Sequence, residues 1–162
     1  MKQIDPQEAR RAVDEYADLI LRLSCTYLKS TQDGEDICQT VLLKLLTGDK
    51  AFDSPGHEKA WVIRTTINAC KDELRSFRRR AVPLDEAAEV AAPEMPRSDV
   101  LDAVMELPDK YREAIYLVYY EGYSAKETAA LLGRSEAAVN AHLSRGRKKL
   151  RELLGGMEYG TN

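Results

Sequence analysis

The sequence predicts an all-α protein: two small helical domains joined by a flexible acidic linker. Three observations lead there. Apolar residues recur at steps of three and four over long runs, and the strict alternation of a half-buried strand is nearly absent. Between two such stretches, Pro83, Pro93 and Pro96 stand among alanines and acids, a segment that resists helix continuity and has little to bury. Near the C-terminus, two Ser-capped segments carry the start and stop signals of short helices. At 162 residues, 44% of them apolar, the chain suits one moderate domain or two small ones. The boundaries expected are 6–80 for the first domain, 81–97 for the linker and 98–154 for the second.

In the first domain Val13, Tyr16, Ile20, Leu23 and Tyr27 form the inward stripe of a long opening helix. Thr31 to Gly34 reads as a polar turn. A second helix, Glu35 to Leu46, turns Ile37, Val41 and Leu45 inward and Glu35, Asp36, Gln39 and Lys44 outward. Thr47 to Lys59, with Gly48, Pro55 and Gly56, reads as a loop. A third helix runs from about Glu58 to Arg79. Val62, Ile63, Ile67, Cys70 and Leu74 mark its inner side. Arg64, Asn68, Lys71, Arg75 and Arg78 mark another face at helical steps. Trp61 at the helix entry has two readings, a core anchor or an aromatic plane for stacking a base beside cations that hold phosphates. Arg64 and Arg75 likewise read as phosphate contacts or as solubilising charge.

The second domain holds the stronger functional signal. Gly122 ends one helix, and Ser124 caps the next with Glu127 three residues on, the reciprocal capping-box spacing. That helix carries Ala129, Leu131 and Leu132 toward a core. Gly133 stands where the backbone must turn sharply through a positive φ. Ser135 caps the following helix. A short helix, a Gly-containing turn and a longer helix make a helix-turn-helix. Its second helix buries Val139, Leu143, Leu150 and Leu153 and turns Asn140, Ala141, Ser144, Arg145 and Lys148 elsewhere. Arg145, Arg147, Lys148, Lys149 and Arg151 make its second half cationic.

Net charge is −3, which argues against a nucleic-acid partner until its distribution is read. Lys71 to Arg80 carries five cations against two acids, +3. Arg134 to Arg151 carries six against one, +5. Asp85 to Asp99 between them carries one against five, −4. Local fields rather than total charge govern contact with phosphates, so DNA binding by residues 135–151 is expected.

Other classes fit poorly. No N-terminal apolar run resembles a signal peptide and no stretch suits a bilayer span, so a cytoplasmic protein without membrane insertion is expected. Cys25, Cys38 and Cys70 are odd in number and lack close pairing. With only His57 and His142 beside them, they read as buried thiols, and neither metal nor cofactor is expected. Catalysis is not expected either: no nucleophile set, phosphate-binding Gly loop or acid pair is present. His57 reads as a surface or DNA-facing loop residue.

Several runs resemble one family. They are Leu107-Pro-x-x-Tyr-Arg-Glu, Glu121-Gly-Tyr-Ser-x-x-Glu-x-Ala-x-Leu-Leu-Gly, Ser135-Glu-x-x-Val and Arg145-x-Arg-Lys-Lys-Leu, with Gly34-Glu-Asp-Ile-x-Gln-x-Val-Leu-Leu-Lys-Leu and Ala60-Trp-Val-Ile-Arg-x-x-Ile-Asn upstream. From about Tyr16 to Leu154 the chain resembles the extracytoplasmic-function group of bacterial sigma factors. The first domain resembles the family's region-two bundle and the second its region-four helix-turn-helix.

The resemblance implies a transcription initiation factor that binds core RNA polymerase, through the coiled coil of the largest subunit and the flap region, and directs it to promoter DNA. Glu35, Asp36, Gln39, Leu42 and Leu43 match the polymerase-docking face. Trp61, Arg64 and Asn68, with Lys71, Arg75 and Arg78 further along, match the helix that handles the melted minus-ten element. Asp53, Ser54 and His57 match the loop that captures a flipped base. In the second domain Ser135 and Glu136 open the recognition helix, and Asn140, Ala141, Ser144 and Arg145 fall where relatives approach minus-thirty-five base edges. Arg145 can donate two bonds to guanine and Asn140 can read adenine. Arg147 and Lys148 match phosphate contacts, which position without reading sequence. Thr40 departs from an acid frequent in the family, Ile67 from a polar residue, and Asn140 and His142 from Arg or Lys. An anti-sigma partner is implied as well. Two rivals stay open: a dimeric helix-turn-helix regulator that binds a palindrome unaided, and a protein-interaction module.

Overall fold

Asp5 starts the first helix, α1 (Pro6–Leu28): its side chain accepts from the Gln7 amide at 3.1 Å, and Pro6 follows with a φ already suited to a first turn. The computed structural model describes residues 3–80 and 99–155, so the acidic linker expected at 81–97 and all of the tail after Gly155 lie outside the described residues. Among the described residues the helices fall into two units, α1–α3 and a C-terminal group of four.

In the first unit α1 packs on both α2 (Thr31–Thr47) and α3 (Pro55–Arg80), which also pack on each other. Tyr16, Ile20, Leu23 and Tyr27 are buried as expected, but Val13 is 46% exposed. Ala12 and Val13 each lie one turn from Tyr16. The buried side runs through Ala12 and Leu19, leaving Val13 beyond its edge.

Two boundaries differ from expectation for the same reason, a serine cap. Ser30 accepts from the Asp33 amide at 3.2 Å, so Thr31 to Gly34 is the first turn of α2 and not a loop. Gly34 is buried against α1, where a Cβ would make ordinary contacts with Ser24 at 3.6 Å and Leu21 at 3.7 Å. Ser54 accepts from the His57 amide at 3.1 Å, so α3 begins at Pro55 and the preceding loop shrinks to 48–54. Val62, Ile63, Ile67 and Cys70 of α3 complete the core, with Leu74 and Leu45 half-buried. Cys25, Cys38 and Cys70 are free and buried, and burial pushes the Cys70 thiol up to about 12.

The second unit comprises α4 (Asp99–Met105), α5 (Asp109–Ile115) continued by one π-helical turn at Tyr116–Tyr120, α6 (Ala125–Leu132) and α7 (Glu136–Leu154). Arg112 is buried between α4 and α5, donating to the Met105 carbonyl at 2.9 Å and pairing with Asp109. Leu107, Ala114, Ile115, Ala129, Val139 and Leu143 form the core, with Leu150 packed against it. Leu153, expected inside, is 36% exposed, because the last turn of the 19-residue α7 runs past that cluster. Among the described residues there is no strand, no cluster of metal-ligating side chains, and no helix long and apolar enough to cross a membrane.

Candidate nucleic-acid interface

The helix-turn-helix is set by three local devices. The Ser124 hydroxyl accepts from the Glu127 amide at 3.0 Å while the Glu127 carboxylate accepts from the Ser124 amide at 2.9 Å. Those bonds favour the ionised carboxylate and hold Glu127 below the usual carboxylate range. Gly133 ends α6 at φ +66, where an L side chain would be strained, and Ser135 then caps α7 by accepting from the Ala138 amide at 3.0 Å.

α7 is seated on α5 by Val139, Leu143 and Gly146, all buried. A Cβ at Gly146 would stand 3.1 Å from Ile115 Cγ1 and 3.3 Å from Tyr111 Cβ, so any side chain there would press α5 back by a few tenths of an ångström. The seating leaves Ser135, Glu136, Asn140, Ser144, Arg145, Arg147 and Lys148 exposed together and Ala141 half-buried. Lys149 and Arg151 are exposed as well. Arg134, one of the cations that gave this segment +5, is withdrawn from it by an ion pair with Glu113, a residue 1% exposed. Arg147 donates to the Tyr119 hydroxyl at 2.8 Å, a tether from the π-helical turn. His142 packs its ring 5.8 Å from Tyr111, and its Nδ1 has no hydrogen-bond partner among the described residues. Burial first, then Arg134, Lys110 and Arg145, hold its imidazole below the ordinary range, so it adds no charge near neutral pH.

In the first unit, residues 57, 61, 64, 68, 71 and 75 follow one another on α3 at steps of four and three, a single stripe. His57, Arg64, Asn68 and Arg75 are exposed, Trp61 and Lys71 half-buried. Arg75 pairs with Asp72, and the side chain of Arg78 lies outside the described residues. Asp53, Ser54 and His57 form a cap rather than an open loop: the Asp53 amide donates to His57 Nδ1 at 3.2 Å. Trp61 is neither bare nor a core anchor. Its ring lies 5.9 Å from that of Phe52, Phe52 meets His57 edge-on at 5.3 Å, and Lys50 Nζ stands 5.3 Å from the Trp61 centroid. Lys50 and Phe52 were missed from the sequence; a lone Phe in a polar loop was the available signal. Also missed was Glu58, which turns from the stripe toward α1.

On α2, Glu35, Asp36 and Gln39 are exposed with Leu43, which is 54% exposed, and Leu42 beside them is half-buried.

Comparisons with known proteins agree with this layout. Residues 12–80 match the family described as Sigma-70 region 2, and residues 97–150 match Sigma-70, region 4. The ECF RNA polymerase sigma factor SigM of Mycobacterium tuberculosis is 32% identical over 145 residues, covering 87% of this chain and 74% of SigM. The RNA polymerase sigma factor CarQ of Myxococcus xanthus is 32% identical over 134 residues, covering 77% and 76%. Among solved structures, CnrH, bound to the cytosolic domain of CnrY, superposes with a TM-score of 0.66 at 27% identity, covering 94% of this chain and 90% of that one. The sigma factor RpoE of Bartonella quintana, in complex with the anti-sigma factor NepR, shares the fold with a TM-score of 0.74 at 21% identity, covering 92% and 98%. The chain belongs to the extracytoplasmic-function group of RNA polymerase sigma factors. Its function lies in transcription initiation.

Proposed function

We propose that the two units divide the work of promoter recognition, each inside the holoenzyme formed with core RNA polymerase. The start of α7 enters the major groove at a minus-thirty-five element. There Asn140 and Arg145 read base edges, with Ala141 and Ser144 beside them, while Arg147 and Lys148 grip phosphates. The stripe on α3 handles the opened minus-ten strand: Trp61 and His57 meet bases, and Arg64, Asn68, Lys71, Arg75 and Arg78 follow the backbone. The face of α2 bearing Glu35, Asp36, Gln39, Leu42 and Leu43 docks on the polymerase. An anti-sigma protein in the cytoplasm completes the set of partners.

The observation that carries this reading is the seating of α7. A buried, glycine-tight inner side leaves one polar and cationic side outward, with small residues near the helix start where base edges must come close. The minus-ten part rests on the α3 stripe, where two aromatic rings at the helix entry, His57 and Trp61, are followed along one line by Arg64, Asn68, Lys71 and Arg75. Unstacking a base costs roughly a few kcal/mol. A unit of three helices must offset that by capturing the freed base, with polymerase docking supplying the rest.

Replacing Arg145 with Ala tests the groove reading. Binding by the holoenzyme should weaken by about 1–3 kcal/mol, and sequence preference should relax at one minus-thirty-five position only. A uniform loss across all promoter variants would make Arg145 a phosphate contact instead.

A further inference from the structure

Glu58 stands in the first turn of α3, directly after His57 and one turn before Trp61. A carboxylate there already favours the helix N-terminus and gains little by leaving water. It is nonetheless turned inward, with 16% of its side chain exposed, and receives three bonds from α1. Arg11 donates from Nη1 to Oε1 at 3.0 Å and from Nη2 to Oε2 at 3.1 Å, the planar fork that fixes angle as well as distance. The Tyr16 hydroxyl donates to Oε1 at 2.6 Å. Arg11 is itself braced by Glu8 and Glu15 on α1. The Glu58 amide donates to the Ser54 carbonyl at 3.1 Å, which ties the turn leading back to Phe52 into the same joint.

We propose that Glu58, held by Arg11 and Tyr16, is a positioning residue for the minus-ten face. It sets the height and tilt of the first turn of α3, and so the placement of the Phe52, His57 and Trp61 rings. Stacking and base capture depend on ring placement to within a fraction of an ångström, and three rings on one helix entry share whatever error that entry has. The inference rests on the reading of α3 as the strand-handling element, and the experiment keeps the two apart.

Holoenzyme is assembled from core polymerase and the full chain, as wild type, Arg11→Ala, Arg11→Lys, Glu58→Gln or Trp61→Ala. Affinity is measured for fork DNA with a single-stranded minus-ten segment, intact or made abasic at each position in turn. The wild type should prefer the intact base at one or more positions. Arg11→Ala and Glu58→Gln should reduce that preference roughly 3- to 10-fold, with core binding and abasic-fork affinity unchanged, and Arg11→Lys should restore part of it. Preference lost in Trp61→Ala but intact in Arg11→Ala and Glu58→Gln overturns the inference and leaves the strand-handling reading standing. Preference intact in all variants, Trp61→Ala included, overturns both. Equal losses on intact and abasic forks would mark the joint as a fold support, which also overturns the inference.

Discussion

His142 shows how tertiary packing decides what a single side chain contributes to the helix that carries it. It lies on α7 between Ala141 and Leu143, half-buried against Tyr111. Its imidazole is depressed by burial first and then by Arg134, Lys110 and Arg145, with Glu113 opposing. Above the ordinary value of 6.5 the folded and unfolded states both hold it neutral, and stability does not depend on its proton. As pH falls below that value the unfolded chain takes up the proton first. Stability is therefore lost progressively down through the lower, folded-state pKa. Thermal unfolding of the full chain at about pH 7.5 and about pH 5.5 should show a larger fall for wild type than for His142→Gln. Equal falls would mean that the imidazole titrates as if exposed. Arg134 carries the same lesson: composition counts it in a DNA-facing patch, while the fold spends its charge on Glu113. Pairings across 21 positions, as here, or across 47, as from Arg11 to Glu58, leave no trace in local spacing.

At the scale of elements, much was legible because caps act locally. The box formed by Ser124 and Glu127, the turn at Gly133 and the Ser135 cap each involve residues within three or four positions, and each is present as spaced. The inner faces of α2 and α3 followed from period alone. The helix starts at Thr31 and Pro55 were misjudged because Gly34, Pro55 and Gly56 were weighed as breakers, while Ser30 and Ser54 act as caps. Proline is well tolerated at a helix's first position. Gly146 went unread for a related reason: mid-helix glycine looks like a defect until the opposing helix is known. A side chain there must enter the space held by Ile115 and Tyr111. Overpacking of this kind costs about 1–3 kcal/mol, against about 1 kcal/mol returned by better helix propensity for Ala and less for larger residues. Gly146→Leu should therefore destabilise the second unit by about 1–2 kcal/mol in urea unfolding and lower DNA affinity through displacement of α7. A variant at least as stable as wild type would show that α5 yields freely, and that the seating is not tight.

For the whole molecule, the proposed division of labour rests on the division of charge along the chain. Two basic helices belong to different units, and the acidic 81–97 segment stands between them in sequence. Each basic surface is small. The α7 patch keeps Arg145, Arg147, Lys148, Lys149 and Arg151 once Arg134 is paired, and nonspecific attraction of that size is weak and salt-sensitive. Family membership was legible from the motifs at both ends of the chain. The joint between α1 and α3 and the withdrawal of Arg134 were not, since both depend on contacts between distant helices. Promoter selection by joint action of two weak modules requires a larger body that engages both at once. Mapping transcript starts on genomic fragments, with core polymerase in the presence and absence of this chain, tests that requirement most directly. The result expected is a set of new, discrete starts, each preceded by the same pair of short upstream elements, on fragments that the chain alone does not select. Selective binding of those fragments by the chain alone, unchanged by core polymerase, or an identical set of starts without the chain, would contradict it.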